Sequence, residues 1–369
     1  MNSVSIEVIG DAFADVYCYL EAGLPSLGGD SRLTEPIHTV PGGSALNTTT
    51  HLASLIKYFG NEGRISNINL QSVINENDVY GKLIIDHAKT HNFRLINRRI
   101  SNVPSCFVTS EAKKFAGEKS TGHCAVIVAS NDRSFMTHLG CMEDFKGSHI
   151  LPISSSPECT HQHVHIAGYY NIRGFWGCEL ANQLKLMRDS MKKTGTKLTI
   201  SLVPQQDASN VWDGGLSEVL KYVDFLILNE DEAKSIARCQ RDIDEATSNK
   251  KIANHFHESS PNTFVIVTRG SRGAVVFHSG DITLDQSSPR QITNPLDPTG
   301  AGDAFASGFI YGLLDSCGAV ATNDTITIPS VLKQALRWGC ALGTCNVLVK
   351  GASTPVSKHS IETMLQELG

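Results

Sequence analysis

The first sharp pattern along the chain is the β-branched run at residues 4–9 (VSIEVI), which stops at Gly10 and predicts a buried strand feeding a loop. That loop carries Asp11 and Asp15. Alternation at residues 17–20, 33–40, 105–109 and 123–139 reads as strands, whereas residues 45–59, after Gly42 and Gly43, have helical spacing. The first third therefore mixes strands and helices. From residue 163 the pattern becomes regular: strand 163–168, helix 179–193, strand 197–203, helix 216–222, strand 225–229, then a helix from Glu230. Such alternation implies right-handed crossovers and a parallel sheet. A further strand at 263–268 runs into an antiparallel pair, 274–278 and 281–285.

This pattern predicts a doubly wound α/β fold with a mostly parallel central sheet flanked by helices. Residues 151–162, the polar run 239–262 and residues 315–329 read as surface loops by composition. No linker, repeat or low-complexity tract divides the chain, so residues 1–369 read as one domain.

Composition narrows the function. With 369 residues, 41% hydrophobic and 19% charged, the chain can bury a sizeable core. The net charge of −5, without a block of Lys and Arg, argues against a nucleic-acid partner. Ten cysteines with no C-x-x-C pair suit buried thiols in a reducing compartment. The opening MNSVSIEVIGDAF has neither a basic leader nor an apolar core, and no stretch is apolar for long enough to span a bilayer. A cytoplasmic enzyme without a membrane partner is the expectation.

The chemistry is concentrated in Asp297-Pro-Thr-Gly-Ala-Gly-Asp303, which opens an apolar-periodic helix (Phe305, Phe309, Leu313). A helix start presents unpaired N–H groups and a positive dipole end, so Gly300, Ala301 and Gly302 can form an anion hole for a phosphoryl group in flight. Asp303, in the first turn, is placed to accept a proton from an attacking alcohol. The same residues also suit a plain helix cap, since aspartate is a preferred capping residue.

The stretch resembles the second signature of the ribokinase (PfkB) family of carbohydrate kinases, D-[TP]-x-G-A-G-D, and the likeness covers nearly the whole chain in the family's order of elements. It implies that Gly300, Ala301 and Gly302 form the anion hole and that Asp303 is the catalytic base. Near the N-terminus, Gly10-Asp11-Ala-Phe-Ala-Asp15 is similar to the family's first strand and turn, which puts Asp15 on sugar hydroxyls. Pro41-Gly42-Gly43-Ser-Ala-Leu-Asn47 resembles its G-G-x-x-x-N motif and adds Gly42, Gly43 and Asn47 to the substrate site. Asn229-Glu-Asp-Glu232 resembles the N-x-x-E motif that organises Mg²⁺ and nucleotide phosphates, with Glu232 reaching Mg²⁺ through water. As a bare pattern it is an acidic first turn. Thr268-Arg-Gly270-Ser-Arg-Gly273 resembles the nucleotide loop T-x-G-x-x-G. Lys350-Gly-Ala-Ser-Thr-Pro355 resembles K-G-A-x-P with one residue extra, and with Asp297 and Thr299 it is the candidate K⁺ site.

The resemblance further implies a small β lid from roughly residues 16–41 and 99–139, through which two copies could pair as a homodimer. The expected activity is ATP-dependent phosphorylation of a small sugar or sugar acid, with ATP and Mg²⁺, and K⁺ as a further cofactor. An adenosine-type nucleoside kinase of the same family is the alternative, and a non-catalytic sugar or nucleotide sensor a third. Departures include Val203, where many relatives carry aspartate, and the lack of a glutamate after residues 163–168. Arg173 reads as an exposed loop residue or an anchor for an acidic substrate. His161, His163 and His165 share one strand face, a spacing that a metal could use, although further ligands are lacking. Trp176 and Trp212 read as core packing.

Overall fold

The strand expected at residues 4–9 forms as β1 (Ser3–Gly10), and it lies inside a nine-stranded sheet. The computed structural model describes residues 3–60, 65–99, 119–129, 132–153, 159–240, 243–317 and 329–369. Ile6, Val8 and Ile9 are fully buried, as a continuous apolar run requires when helices cover both faces of the sheet.

From β1 the chain first builds to one side. β4 (Ile65–Ser72) pairs parallel with β1 and β5 (Arg94–Asn97) with β4. It then crosses over to lay β8 (Cys159–Ala167) against the other edge of β1, followed by β9 (Lys197–Val203), β10 (Phe225–Asn229) and β11 (Phe264–Thr268), all parallel. Antiparallel β12 (Ala274–His278) and β13 (Asp281–Gln286) close that side. The reversal of direction between β1 and β8 opens a crevice at their carboxyl ends, the usual ligand position in such sheets.

One sheet face, through Ile9, Ile166, Leu202 and Leu228, packs on α3 (Glu179–Thr194), α4 (Leu216–Leu220), α5 (Glu230–Ile236) and α6 (Glu245–Ser259). The other face receives α1 (Ser44–Phe59), α2 (Val79–Thr90), α7 (Ala301–Cys317), α8 (Pro329–Asn346) and α9 (Lys358–Glu367). Close approach of α7 to α8 depends on Gly308, where a Cβ would lie 2.3 Å from the Trp338 carbonyl. Phe309 of α7 meets Phe225 of β10 edge to face at 5.6 Å, which pins the helix that carries Asp303 to the sheet.

A separate four-stranded sheet runs β3 (His38–Gly42), β2 (Phe13–Tyr19), β6 (His123–Ala129), β7 (Asp132–His138). Tyr17, Cys124 and Val126 form its own small core. The strand expected at 105–109 falls outside the described residues.

The polar run at 239–262 differs from its expected loop by forming α6. Asp244 caps that helix by accepting from the Thr247 amide, and its buried stripe is only Ser248, Ile252, Ala253 and Phe256, too narrow to stand out in the sequence. Within the expected loop 151–162, β8 already begins at Cys159. Among the described residues no helix is long and apolar enough to cross a membrane.

Candidate active site

Asp303 sits in the first turn of α7 and is 6% exposed. Its carboxylate accepts from Ser44 Oγ at 2.6 Å, Asn47 Nδ2 at 2.8 Å and Gln205 Nε2 at 3.3 Å. Ser44 and Asn47 are three residues apart in the first turn of α1 and so share a face. That helix can start here because its cap, Gly43, adopts φ 94°, and a Cβ would stand 2.8 Å from the Asp11 carbonyl oxygen. Burial pushes the Asp303 pKa up to about 7, against the bonds from Ser44 and Asn47 and with added repulsion from Asp11.

The loop before α7 brings Gly300, Ala301 and Gly302 alongside. Gly300 takes φ 78° with Ala352 directly behind it, whereas a Cβ on Gly302 would meet nothing within 4 Å. Ala301 N–H makes only a long turn bond, 3.3 Å, to the Pro298 carbonyl. These first-turn amides face a cavity of about 780 Å³. Ala301 and Gly302 also line a second cavity of about 310 Å³, whose wall shares Thr268 and Pro298 with the first. Both volumes fall in the range of small-molecule sites.

On the wall of the larger cavity, Asp15 of β2 is buried against Gly42, where any Cβ would overlap its carboxylate. Burial, then the charges of Asp11 and Asp303, push the Asp15 pKa to about 7. Asp11, the residue after β1, accepts from the Ala45 amide at 3.1 Å and from Asn171 Nδ2 at 2.9 Å, and burial raises its pKa. The small sheet supplies the facing wall through Cys124, Arg133, Phe135 and Thr137.

Asn229 and Glu232 form a capping box on α5, each side chain accepting from the other's amide at 2.9 Å. Glu232 lines the larger cavity, and burial together with the charges of Asp303 and Asp231 pushes its pKa to about 7. Glu232 and Asp303 both line that cavity, and a pair of carboxylates there suits a hydrated divalent cation. Thr268 ends β11, and Gly270 and Gly273 follow at φ 56° and 88° on the wall of the smaller cavity.

Asp297 accepts from the Thr299 and Gly351 amides at 2.9 and 3.0 Å. Asn346 donates to the Thr299 carbonyl at 2.9 Å, which leaves its Oδ1 buried without a hydrogen-bond partner. Oxygen donors in such a cluster fit a monovalent cation. The extra residue in the 350–355 stretch is absorbed by a turn in which Thr354 Oγ1 donates back to the Lys350 carbonyl, and Ser353 Oγ donates to the Pro41 carbonyl. Lys350 itself points away, to Glu35 and the face of Tyr19.

Of the fifteen residues marked by the motifs for substrate, nucleotide, cation or catalysis, thirteen line the two cavities, and Gly42 and Asp297 stand behind them against Asp15 and Thr299. Ser44, Gln205, Asp11 and Asn171 join them without a sequence motif of their own, although the position of Asp11 at the end of a central strand was a usable signal. Arg173 is exposed and lies over Trp176, with the guanidinium carbon 5.8 Å from the ring centroid. His161, His163 and His165 hydrogen-bond the hydroxyls of Thr199 and Ser201, and burial lowers the pKa of His165 to about 3.

A family model described as pfkB family carbohydrate kinase matches residues 105–359. An adenosine kinase from Schizophyllum commune is 30% identical over 213 residues, covering 54% of this chain and 58% of that protein. The chain spans about half the length of the curated relatives it matches. Among solved structures, a ribokinase from Giardia lamblia superposes with a TM-score of 0.76 at 17% identity over 100% of both chains. A double mutant of Vibrio cholerae fructokinase, bound to fructose, ADP and potassium ion, superposes with a TM-score of 0.66 at 17% identity over 99% of both chains.

Proposed function

Because the chain belongs to the pfkB family of carbohydrate kinases, we propose that it transfers the γ-phosphoryl group of ATP to a hydroxyl of a small sugar or sugar acid. The observation that carries this reading is Asp303. It is a buried carboxylate held by three neutral donors, beside a glycine-lined helix start, at the junction of two cavities.

In this reading the smaller cavity takes the nucleotide base and the larger one takes phosphates and sugar. Asp15, Gly42, Gly43 and Asn47 orient the polyol, since a carboxylate accepts, an amide does both, and glycines let hydroxyls approach the main chain. Asp303 accepts the proton as the acceptor oxygen bonds to the γ-phosphorus and the bond to the ADP oxygen breaks. The Gly300, Ala301 and Gly302 amides meet the charge that develops on the phosphoryl oxygens. Asn229 and Glu232 would hold Mg²⁺ through water, and the cation would offset phosphate charge there. Asp297, Thr299 and Asn346 would hold K⁺ behind the loop that presents Gly300.

Coupled ATP turnover with Mg²⁺ against ribose, fructose, other sugars and sugar acids tests the proposal. Substrate-dependent ADP release supports it, and none across the panel would overturn it. A second reading rests on the adenosine kinase relative: a nucleoside acceptor. Adenosine that competes with every sugar, and is itself phosphorylated, would favour it.

Two further results are expected. A base must be ionised to accept a proton, so kcat/KM should fall about tenfold per pH unit below about 7 and level off above it. Asp15 and Glu232 titrate in the same range, so the acid limb belongs to the cluster. A flat profile from about pH 5.5 to 8 would contradict the assignment of the base. Replacing Na⁺ by K⁺ should raise turnover severalfold, and Asp297→Asn should abolish that response. Equal rates in both salts would remove the cation from the scheme.

A further inference from the structure

We propose that Gln205 is a positioning residue that aims the Asp303 carboxylate at the acceptor hydroxyl. The proposal rests on the kinase reading above and adds to it a residue that no motif marks.

The argument is geometric. Ser44 and Asn47 hold Asp303 by one bond to each carboxylate oxygen, and both come from the first turn of α1. Because both contacts come from one helix, they hold the carboxylate relative to α1 alone. Gln205 reaches the Ser44-bound oxygen from another element, the turn after β9, and so ties the carboxylate to the central sheet as well. Its bond of 3.3 Å is longer than the other two, and three donors leave the carboxylate one of its about four acceptor sites for a hydroxyl proton.

The backbone at Gln205 points the same way. Its φ is 67°, in the left-handed region that disfavours a residue with a side chain. The turn enforces this conformation from both sides. Gly168 N–H donates to the Val203 carbonyl at 3.2 Å and Tyr170 N–H to the Pro204 carbonyl at 3.0 Å. Downstream, Asp207 accepts from the Ser209 and Trp212 amides at 2.9 and 2.7 Å. Glycine would relieve the strain but offer no amide. A strained side chain on the cavity wall, bonded to the proposed base, is the pattern of a functional turn. The charged groups on that cavity wall are Asp11, Asp15 and Glu232 from three other elements, with Arg133 on β7. The carboxylates among them repel an ionised Asp303, whose pKa is held down by Ser44 and Asn47, and the Gln205 amide adds a third neutral donor at 3.3 Å.

The test compares Gln205→Gly with Gln205→Met, which keeps length without a donor. Three readouts are followed: kcat and KM across pH, thermal midpoint, and the titration of Asp303 in ligand-free protein by carbon NMR of labelled aspartate. In Gln205→Gly the midpoint should hold or rise as strain is released, while kcat falls about tenfold to a hundredfold with KM for the sugar nearly unchanged. In both variants Asp303 should titrate at higher pH, moving the acid limb of kcat with it. Wild-type kcat together with an unmoved Asp303 titration in Gln205→Gly would overturn the proposal, as would a loss confined to stability. If no sugar or nucleoside is phosphorylated at all, the kinase reading fails separately. The NMR titration then decides alone: an upward shift supports the role of Gln205, and none overturns it.

Discussion

Asp303→Asn should slow turnover by about 10²- to 10⁴-fold while the protein folds as before, because the variant keeps the shape of the side chain and loses the proton acceptor, and a flip of Asn47 lets its unpartnered Oδ1 accept from the new amide. Stability is the informative control. The Asp303 pKa is raised in the folded state to about 7 by burial, so the stability that its neutral form supports is present at low pH and lost as pH rises through 7. Asparagine carries no charge and escapes that loss. The thermal midpoint of the variant relative to wild type should therefore rise between about pH 4 and pH 7 and level off above that, where wild-type activity is highest. Activity lost while stability is gained is the signature of a functional rather than a structural carboxylate. An active Asp303→Asn enzyme, or one that is inactive because it unfolds, would remove Asp303 from the base role.

Gly302→Ala should give the second large effect, and its contrast with Gly300 is the point. A methyl on Gly302 meets no atom within 4 Å, and alanine is favoured over glycine inside a helix by about 0.5–1 kcal/mol. Stability should hold or increase. The methyl would nevertheless stand in the space through which a phosphoryl group reaches the helix amides, and turnover should fall about 10²-fold, the scale of losing one such donor. Gly300→Ala, by contrast, forces a side chain onto φ 78° and against Ala352 at 2.6 Å, so its loss of activity should come with a lower midpoint. Calorimetry beside a turnover assay separates the two glycines. Full activity in Gly302→Ala would mean that the first-turn amides do not meet the phosphoryl group.

Much of this architecture was legible because local chemistry and global fold agree. The strand–helix alternation from residue 163 announced the parallel sheet, and the proline and glycines before Asp303 announced a helix start with room beside it. Where the signal was weak, the cause is physical. α6 hides in a polar run because it buries only a narrow stripe against the sheet. The partners of Asp303 hide for a different reason: Ser44 and Gln205 make no pattern with their own neighbours, and their meaning arises only where β9, α1 and α7 converge. The strain at Gln205 is likewise invisible in one letter of sequence, since glutamine carries no preference for the conformation it adopts.

The hydrogen bond between Ser44 and Asp303 spans 259 positions of the chain, and Gly300 needs Ala352 behind it. Contacts of this kind form late in folding, after the entropy of closing long loops has been met. On a ribosome, the segment that carries Ser44 and Asn47 emerges first and waits for most of the remaining chain before it meets Asp303. A partly synthesised or clipped chain can thus bury much of its sheet and still lack the proposed site, which would make ATP turnover a stricter gauge of complete assembly than secondary-structure content.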